Sequence, residues 1–163
     1  MIRKIAIDMD GVVVDFLRGA YHAGIFDPDS GEMNEEKLKE ADEQFWANLP
    51  VLTEGLWLYS RLYAFSKRKD LTLYILSHAI NEAAKAGKRE WIQKHLGTNP
   101  MEIVLVAKRS DKKDFADPDT LLIDDYPKTC EEFEANKGHA VVFHRNDIKK
   151  TLEDLRVYLN EIK

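Results

Sequence analysis

The sequence predicts an α/β fold in which a parallel β-sheet is flanked by helices, with a small helical insertion after the first strand. Two observations predict it. Five short apolar runs rich in β-branched residues alternate with stretches of helical periodicity, the rhythm of strand–helix–strand units. One stretch, Phe16–Thr53, breaks that rhythm directly after the first run.

The first run, Ile2–Ile7, ends in the polar, glycine-bearing turn Asp8–Gly11 and reads as a buried strand. Leu71–Leu76, Glu102–Val106, Thr120–Ile123 and Ala140–Phe143 are runs of the same kind. Between them, Glu54–Lys67 places Leu56, Tyr59, Leu62, Tyr63 and Phe65 at helical spacing. Asn81–Leu96 carries Trp91, Ile92 and Leu96 and is expected to meet its C-cap at Gly97. Pro127–Lys137 opens with proline at its first turn and stops at Gly138. Asp147–Ile162 closes the chain, with Leu152, Leu155, Val157 and Leu159 as core candidates. Trp57 and Trp91 are expected in the core. The insertion holds a short aromatic helix, a turn-rich DPDSG segment at Asp27–Gly31 and a second helix near Glu35–Asn48. The expected division is a core of residues 1–15 and 54–163 and a cap of residues 16–53.

Bulk properties narrow the function. A length of 163 residues suits one domain with a real core. The balance of 24 basic against 29 acidic residues, net −5, gives no broad attraction for nucleic acid or anionic membranes. A small anionic substrate then needs a local positive site. The single cysteine, Cys130, is expected to be a small buried residue. No apolar run is long enough to cross a bilayer, and MIRKIAIDMDG has no signal-peptide character, so the expected location is the cytoplasm.

In open α/β sheets ligands bind beyond the carboxyl ends of the strands. The first strand ends in Asp8-Met9-Asp10-Gly11, the second in Ser77-His78 and the fourth in Asp124-Asp125. A lysine-rich loop, Lys108–Lys113, precedes the fourth. Two carboxylates two residues apart can divide a hydrolysis, one attacking and the other moving protons. Two adjacent carboxylates at a buried strand end need a cation, and a hard divalent ion such as Mg2+ supplies one. Ser77 offers a hydroxyl, and a loop lysine can hold phosphate. Each piece alone has an ordinary explanation: a solvated turn, a helix cap, a solvated lysine. Their ordered occurrence at consecutive strand ends is what points to one site.

On DMDGV, ILSHAI, a lysine and LLIDD, in that order, the chain resembles the haloacid dehalogenase superfamily of aspartate-nucleophile phosphatases. The resemblance covers nearly the whole sequence and implies a Rossmann-like sheet. It implies Asp8 as nucleophile and metal ligand, and Asp10 as general acid/base and, through its backbone carbonyl, a second ligand. It assigns Ser77 and the adjoining His78 to phosphate binding, His78 with no catalytic role. Asp124 becomes a magnesium ligand, supported by Asp125 directly or through water. The segment DKKDFA makes Lys112 the best match to the phosphate lysine, followed by Lys113 and then Lys108.

Within the superfamily, DMDGVVVDF, FWANLPVLTEG and KREWIQKHLG are most similar to the 5′(3′)-deoxyribonucleotidase group. That implies a nucleoside monophosphate as substrate, with Phe16 lining its pocket and Trp46 contributing from the cap. Aromatic faces could stack on a base. Departures include Ser77-His78-Ala79 where that group often has Thr-Ser-Pro, and Tyr126 where an arginine often follows the Asp pair. Another small phosphomonoester or a polynucleotide 3′-phosphate are the alternative substrates, and a non-catalytic binding module is the remaining alternative. Homodimerisation is compatible with the sequence, although no stripe or repeat marks a dimer face.

Overall fold

The computed structural model describes residues 1–97 and 102–162. Its centre is a five-stranded parallel sheet, as expected from the sequence, and its strands lie in the order β5-β4-β1-β6-β7. The strands are β1 (Lys4–Ile7), β4 (Thr72–His78), β5 (Glu102–Val106), β6 (Thr120–Asp124) and β7 (His139–Val142). The central strand pairs with β4 and β6 in register, Ile7 opposite both Ile75 and Ile123. Asp8 therefore leaves the sheet beside Asp124, with Ser77 one step beyond on the other flank.

The segment after β1 runs through α1 (Phe16–His22), a small hairpin of β2 (Phe26–Asp27) and β3 (Glu32–Met33), α2 (Glu35–Glu40) and α3 (Glu43–Ala47). Its two connections to the core run side by side. Val14 bridges Val51, the Asp15 amide donates to the Pro50 carbonyl at 2.8 Å, and the Leu52 amide to the Val13 carbonyl at 2.8 Å. The expected single helix near Glu35–Asn48 is two, because Asp42 caps α3 by accepting from the Phe45 amide at 2.9 Å. The DPDSG turn closes the hairpin: Asp27 accepts from the Asp29 amide and the Ser30 hydroxyl, and Gly31 takes φ +73°.

The chain returns through α4 (Thr53–Lys69), α5 (Glu82–His95), a 3-10 turn (Arg109–Phe115), α6 (Pro127–Ala135) and α7 (Ile148–Arg156). Gly97 ends the α5 region with φ +61°, its amide returning to the Ile92 carbonyl. Beyond α6 the left-handed residue is Lys137, at φ +71°, rather than Gly138, where a Cβ would meet the Phe133 ring. The last helix is shorter than expected, ending at Arg156.

Two expected core residues lie outside. Trp57 is half exposed, its face covered by the Arg61 guanidinium at 4.7 Å, since it sits one residue off the buried stripe of Leu58 and Leu62. Val157 is 74% exposed because the helix ends one residue before it and turns it outward. Trp91 is fully buried, and its Nε1 donates to the Leu49 carbonyl at 2.9 Å. Among the described residues no helix is long and apolar enough to cross a membrane.

Candidate active site

The tip of β1 folds into a tight loop because one carbonyl serves three donors. The amides of Val12, Val13 and Val14 all reach the Met9 carbonyl, at 3.1, 3.0 and 2.9 Å. Gly11 makes the turn possible with φ +80°, and a Cβ there would collide with the Asp125 carboxylate. This loop hangs Asp8 and Asp10 over the carboxyl edge of the sheet, where a cavity of about 740 Å³ opens. Its floor includes Asp8, Asp10, Ser77, Lys112, Asp124 and Asp125.

The floor is organised by one buried ammonium. Lys112 Nζ lies 3.0 Å from Asp8 Oδ1 and 2.7 Å from Asp124 Oδ2, with all three side chains nearly inaccessible. Burial works against the Lys112 charge, but Asp8 and Asp124 outweigh it and hold the ammonium above its ordinary pKa. Asp124 uses its other oxygen to accept from the Tyr126 amide at 2.9 Å. Of the three lysines singled out in the sequence, Lys108 and Lys113 are exposed, and the 3-10 turn directs Lys112 inward.

One ammonium among these carboxylates leaves excess negative charge. Burial first, then Asp8, raises the Asp124 pKa. Asp125 stays open to solvent on its outer side, yet the desolvation of its inner side, followed by Asp8 and Asp124, pushes its carboxyl up to about 7. Asp8, Asp124 and Asp125 can each offer a carboxylate oxygen, all within 4.8 Å of one another. Hard oxygen donors, a surplus of charge and an opening to the cavity fit a magnesium ion.

Ser77 is buried at the end of β4 and lines the cavity. His78 also lines it, but its Nε2 pairs with the Ala107 carbonyl at 3.1 Å. Burial, then the Lys88 charge, lowers the His78 pKa, which favours a neutral ring. Phe16 stands on the cavity wall with Leu17 and Met33. Trp46 does not reach the cavity. It is 3% exposed and stacks behind Phe16, ring centroids 5.8 Å apart and planes 11° from parallel, because α3 packs down against α5. Cys130 is buried beneath Asp124, and burial pushes its thiol up to about 12.

Three residues near the site had not been anticipated. Lys88, on α5, is fully buried and reaches Asp10. It shares a helix stripe with Ala84, Trp91 and Ile92, and that spacing was the available signal. Arg145, after β7, lines the cavity and grips Asp15. Arg109 lies on the rim, its guanidinium 4.5 Å from the Tyr126 ring centre.

No family model and no curated protein sequence matches the chain. Solved structures do. The putative HAD-hydrolase YfnB from Bacillus subtilis, bound to magnesium, aligns with a TM-score of 0.64 at 13% identity, over 98% of this chain and 99% of that one. L-2-haloacid dehalogenase from Xanthobacter autotrophicus, with chloropropionic acid covalently bound, aligns with a TM-score of 0.59 at 12% identity, over 100% and 85%. The HAD family enzyme BT-2542 from Bacteroides thetaiotaomicron, in complex with magnesium and inorganic phosphate, aligns with a TM-score of 0.54 at 11% identity, over 89% and 95%. The chain thus has the fold of the haloacid dehalogenase-type hydrolases.

Proposed function

We propose that the protein is a magnesium-dependent phosphomonoesterase that works through an aspartyl-phosphate on Asp8, with nucleoside monophosphates as its substrates. The observation that carries this reading is the buried Lys112 ammonium between Asp8 and Asp124, facing a cavity that also receives Asp10 and Ser77. Such a floor is built to gather negative charge around a carboxylate nucleophile.

In the proposed reaction, a carboxylate oxygen of Asp8 attacks phosphorus and the bond to the leaving alkoxide breaks. Asp10 gives that alkoxide its proton. Lys112 holds Asp8 Oδ1 and offsets charge as it builds on the phosphoryl oxygens. Ser77 donates its hydroxyl to one of those oxygens. Asp10, now a base, takes a proton from the water that attacks phosphorus, and the Asp8–phosphorus bond breaks. Magnesium, held by Asp8, Asp124 and Asp125, would neutralise the clustered carboxylates and withdraw charge from the phosphate.

Two of the fold neighbours, YfnB and BT-2542, are described with magnesium, and the latter with phosphate as well. A third is a dehalogenase. A halide leaves without needing a proton, so a second carboxylate at the loop and a three-carboxylate cluster favour phosphoryl chemistry here. The nucleotide preference rests on the apolar wall of Phe16, Leu17 and Met33, with Phe16 stiffened from behind by Trp46, in a cavity large enough for a mononucleotide.

The test is phosphate release from 5′- and 3′-mononucleotides and sugar phosphates, with magnesium and with EDTA. Magnesium-dependent release favouring deoxynucleotides is expected. Release from sugar phosphates alone would keep the chemistry and discard the substrate.

A further inference from the structure

A second buried lysine serves this site from a different direction. Lys88 is 1% exposed, although an unpaired ammonium at that depth is very costly. It is fully paired. An ammonium has three N–H donors, and Lys88 spends them on three acceptors: Asp10 Oδ2 at 2.8 Å, Ser77 Oγ at 3.0 Å and the His78 carbonyl.

We infer that Lys88 is a positioning residue that orients the two groups of the proposed reaction lying outside the Lys112 cluster, the Asp10 carboxylate and the Ser77 hydroxyl. This rests on the phosphatase reading above. Asp10 is held by Oδ2, and its Oδ1 is buried with no hydrogen-bond partner among the described residues. A buried carboxylate oxygen without a partner is uncommon. The side chain as a whole is 30% exposed, so it opens to the cavity on the Oδ2 edge that Lys88 holds, and that edge is the one able to exchange a proton with a leaving group. Ser77 Oγ accepts from Lys88, so its own hydrogen must point elsewhere. Ser77 lines the cavity, and an anion there is the acceptor this polarity suits. One ammonium thus fixes the Asp10 carboxylate at the cavity and makes Ser77 a donor.

The inserted segment takes part in holding Lys88. The Trp46 ring lies 5.7 Å from its Nζ. Gly87 lets α5 approach that closely, since a Cβ there would strike the Glu43 carbonyl and Trp46 Cβ. Trp46 therefore acts behind the cavity wall, covering the ammonium that holds Asp10.

Leaving-group dependence separates positioning from a purely structural role. An alkyl phosphate needs its alkoxide protonated, whereas p-nitrophenyl phosphate releases a stable anion without an acid. The experiment measures first-turnover rates of wild type and Lys88→Met on a nucleoside 5′-monophosphate and on p-nitrophenyl phosphate, with magnesium. The variant is expected to lose roughly 10²-fold on the nucleotide, the lower end of general acid catalysis, and much less on p-nitrophenyl phosphate. Equal losses on both esters would overturn the assignment. If Lys88→Met does not fold, Lys88→Gln, which keeps two N–H donors, makes the same comparison with the same two readings. A wild type that cleaves neither ester would instead overturn the phosphatase reading, and the role of Lys88 with it.

Discussion

Arg145 grips Asp15 through two parallel hydrogen bonds, Nη1 to Oδ1 at 3.0 Å and Nη2 to Oδ2 at 2.7 Å. The loop after the last strand is thereby tied to the residue from which α1 starts. Asp15 is 7% exposed and also accepts from the Arg18 amide, so it would be left as a poorly solvated charge without its partner. Arg145→Met should cost about 1–2 kcal/mol, toward the low end for charge-assisted bonds because the guanidinium is half exposed. Adding Asp15→Asn should recover part of that loss. Urea midpoints of the two single variants and the double variant measure the coupling, and strict additivity would show that the pair is not coupled.

Lys112 separates two buried carboxylates. Lys112→Met leaves Asp8 and Asp124 facing each other without their cation, and breaking a buried pair in this way costs about 3–5 kcal/mol. Phosphate release should fall by roughly 10²–10³, the effect of removing one preorganised charge-stabilising group. Magnesium should restore part of the lost melting temperature and little of the rate. A variant as stable as wild type without magnesium would contradict the geometry described for Lys112.

The carboxylate cluster predicts a pH dependence with a definite sign. Asp125 is raised from 3.8 to about 7, first by burial and then by Asp8 and Asp124. An acid whose folded pKa is raised stabilises the fold while it keeps its proton. Its contribution is full below 3.8 and is lost as pH rises through about 7. The metal-free protein should therefore weaken across that window relative to Asp125→Asn. Magnesium displaces the proton, so the rise in melting temperature that it causes should grow with pH and level off above about pH 8. A magnesium effect independent of pH would contradict the cluster as the ion's site.

Gly11 is required twice, by its left-handed φ and by the Asp125 carboxylate that fills the space of a Cβ. Gly11→Ala should cost about 1–2 kcal/mol through the backbone alone. It should also push Asp125 aside and weaken the thermal shift caused by magnesium. An unchanged shift would mean that Asp125 contributes little to ion binding.

The parts of the molecule legible in the sequence are those where a local pattern meets a global rule. Apolar runs that end in Asp8, Ser77 and Asp124 announce buried strands with polar tips, and the parallel sheet brings those tips together. Lys112 was legible only through its resemblance to a known segment, because nothing local separates it from Lys108 and Lys113 until the 3-10 turn chooses which one points inward. Lys88 was hidden for a different reason. Lysine on a helix normally marks the solvent face, and its place on the stripe of Ala84, Trp91 and Ile92 does not outweigh that expectation without the packing under Trp46. Asp15 and Arg145 are 130 residues apart, beyond the reach of any periodicity. The break between α2 and α3 turns on the Asp42 cap, whose strength over continued helix a one-dimensional pattern does not rank.

Trapping the phosphoenzyme tests the role of Asp8 most directly. Protein quenched in acid during turnover of a nucleoside monophosphate with magnesium is digested, and its peptides are weighed by mass spectrometry. The expected result is a single phosphate on the peptide that contains Asp8, absent in Asp8→Asn, which should also release no phosphate in the steady state. Phosphate on a different peptide, or near-normal turnover by Asp8→Asn, would contradict Asp8 as the nucleophile.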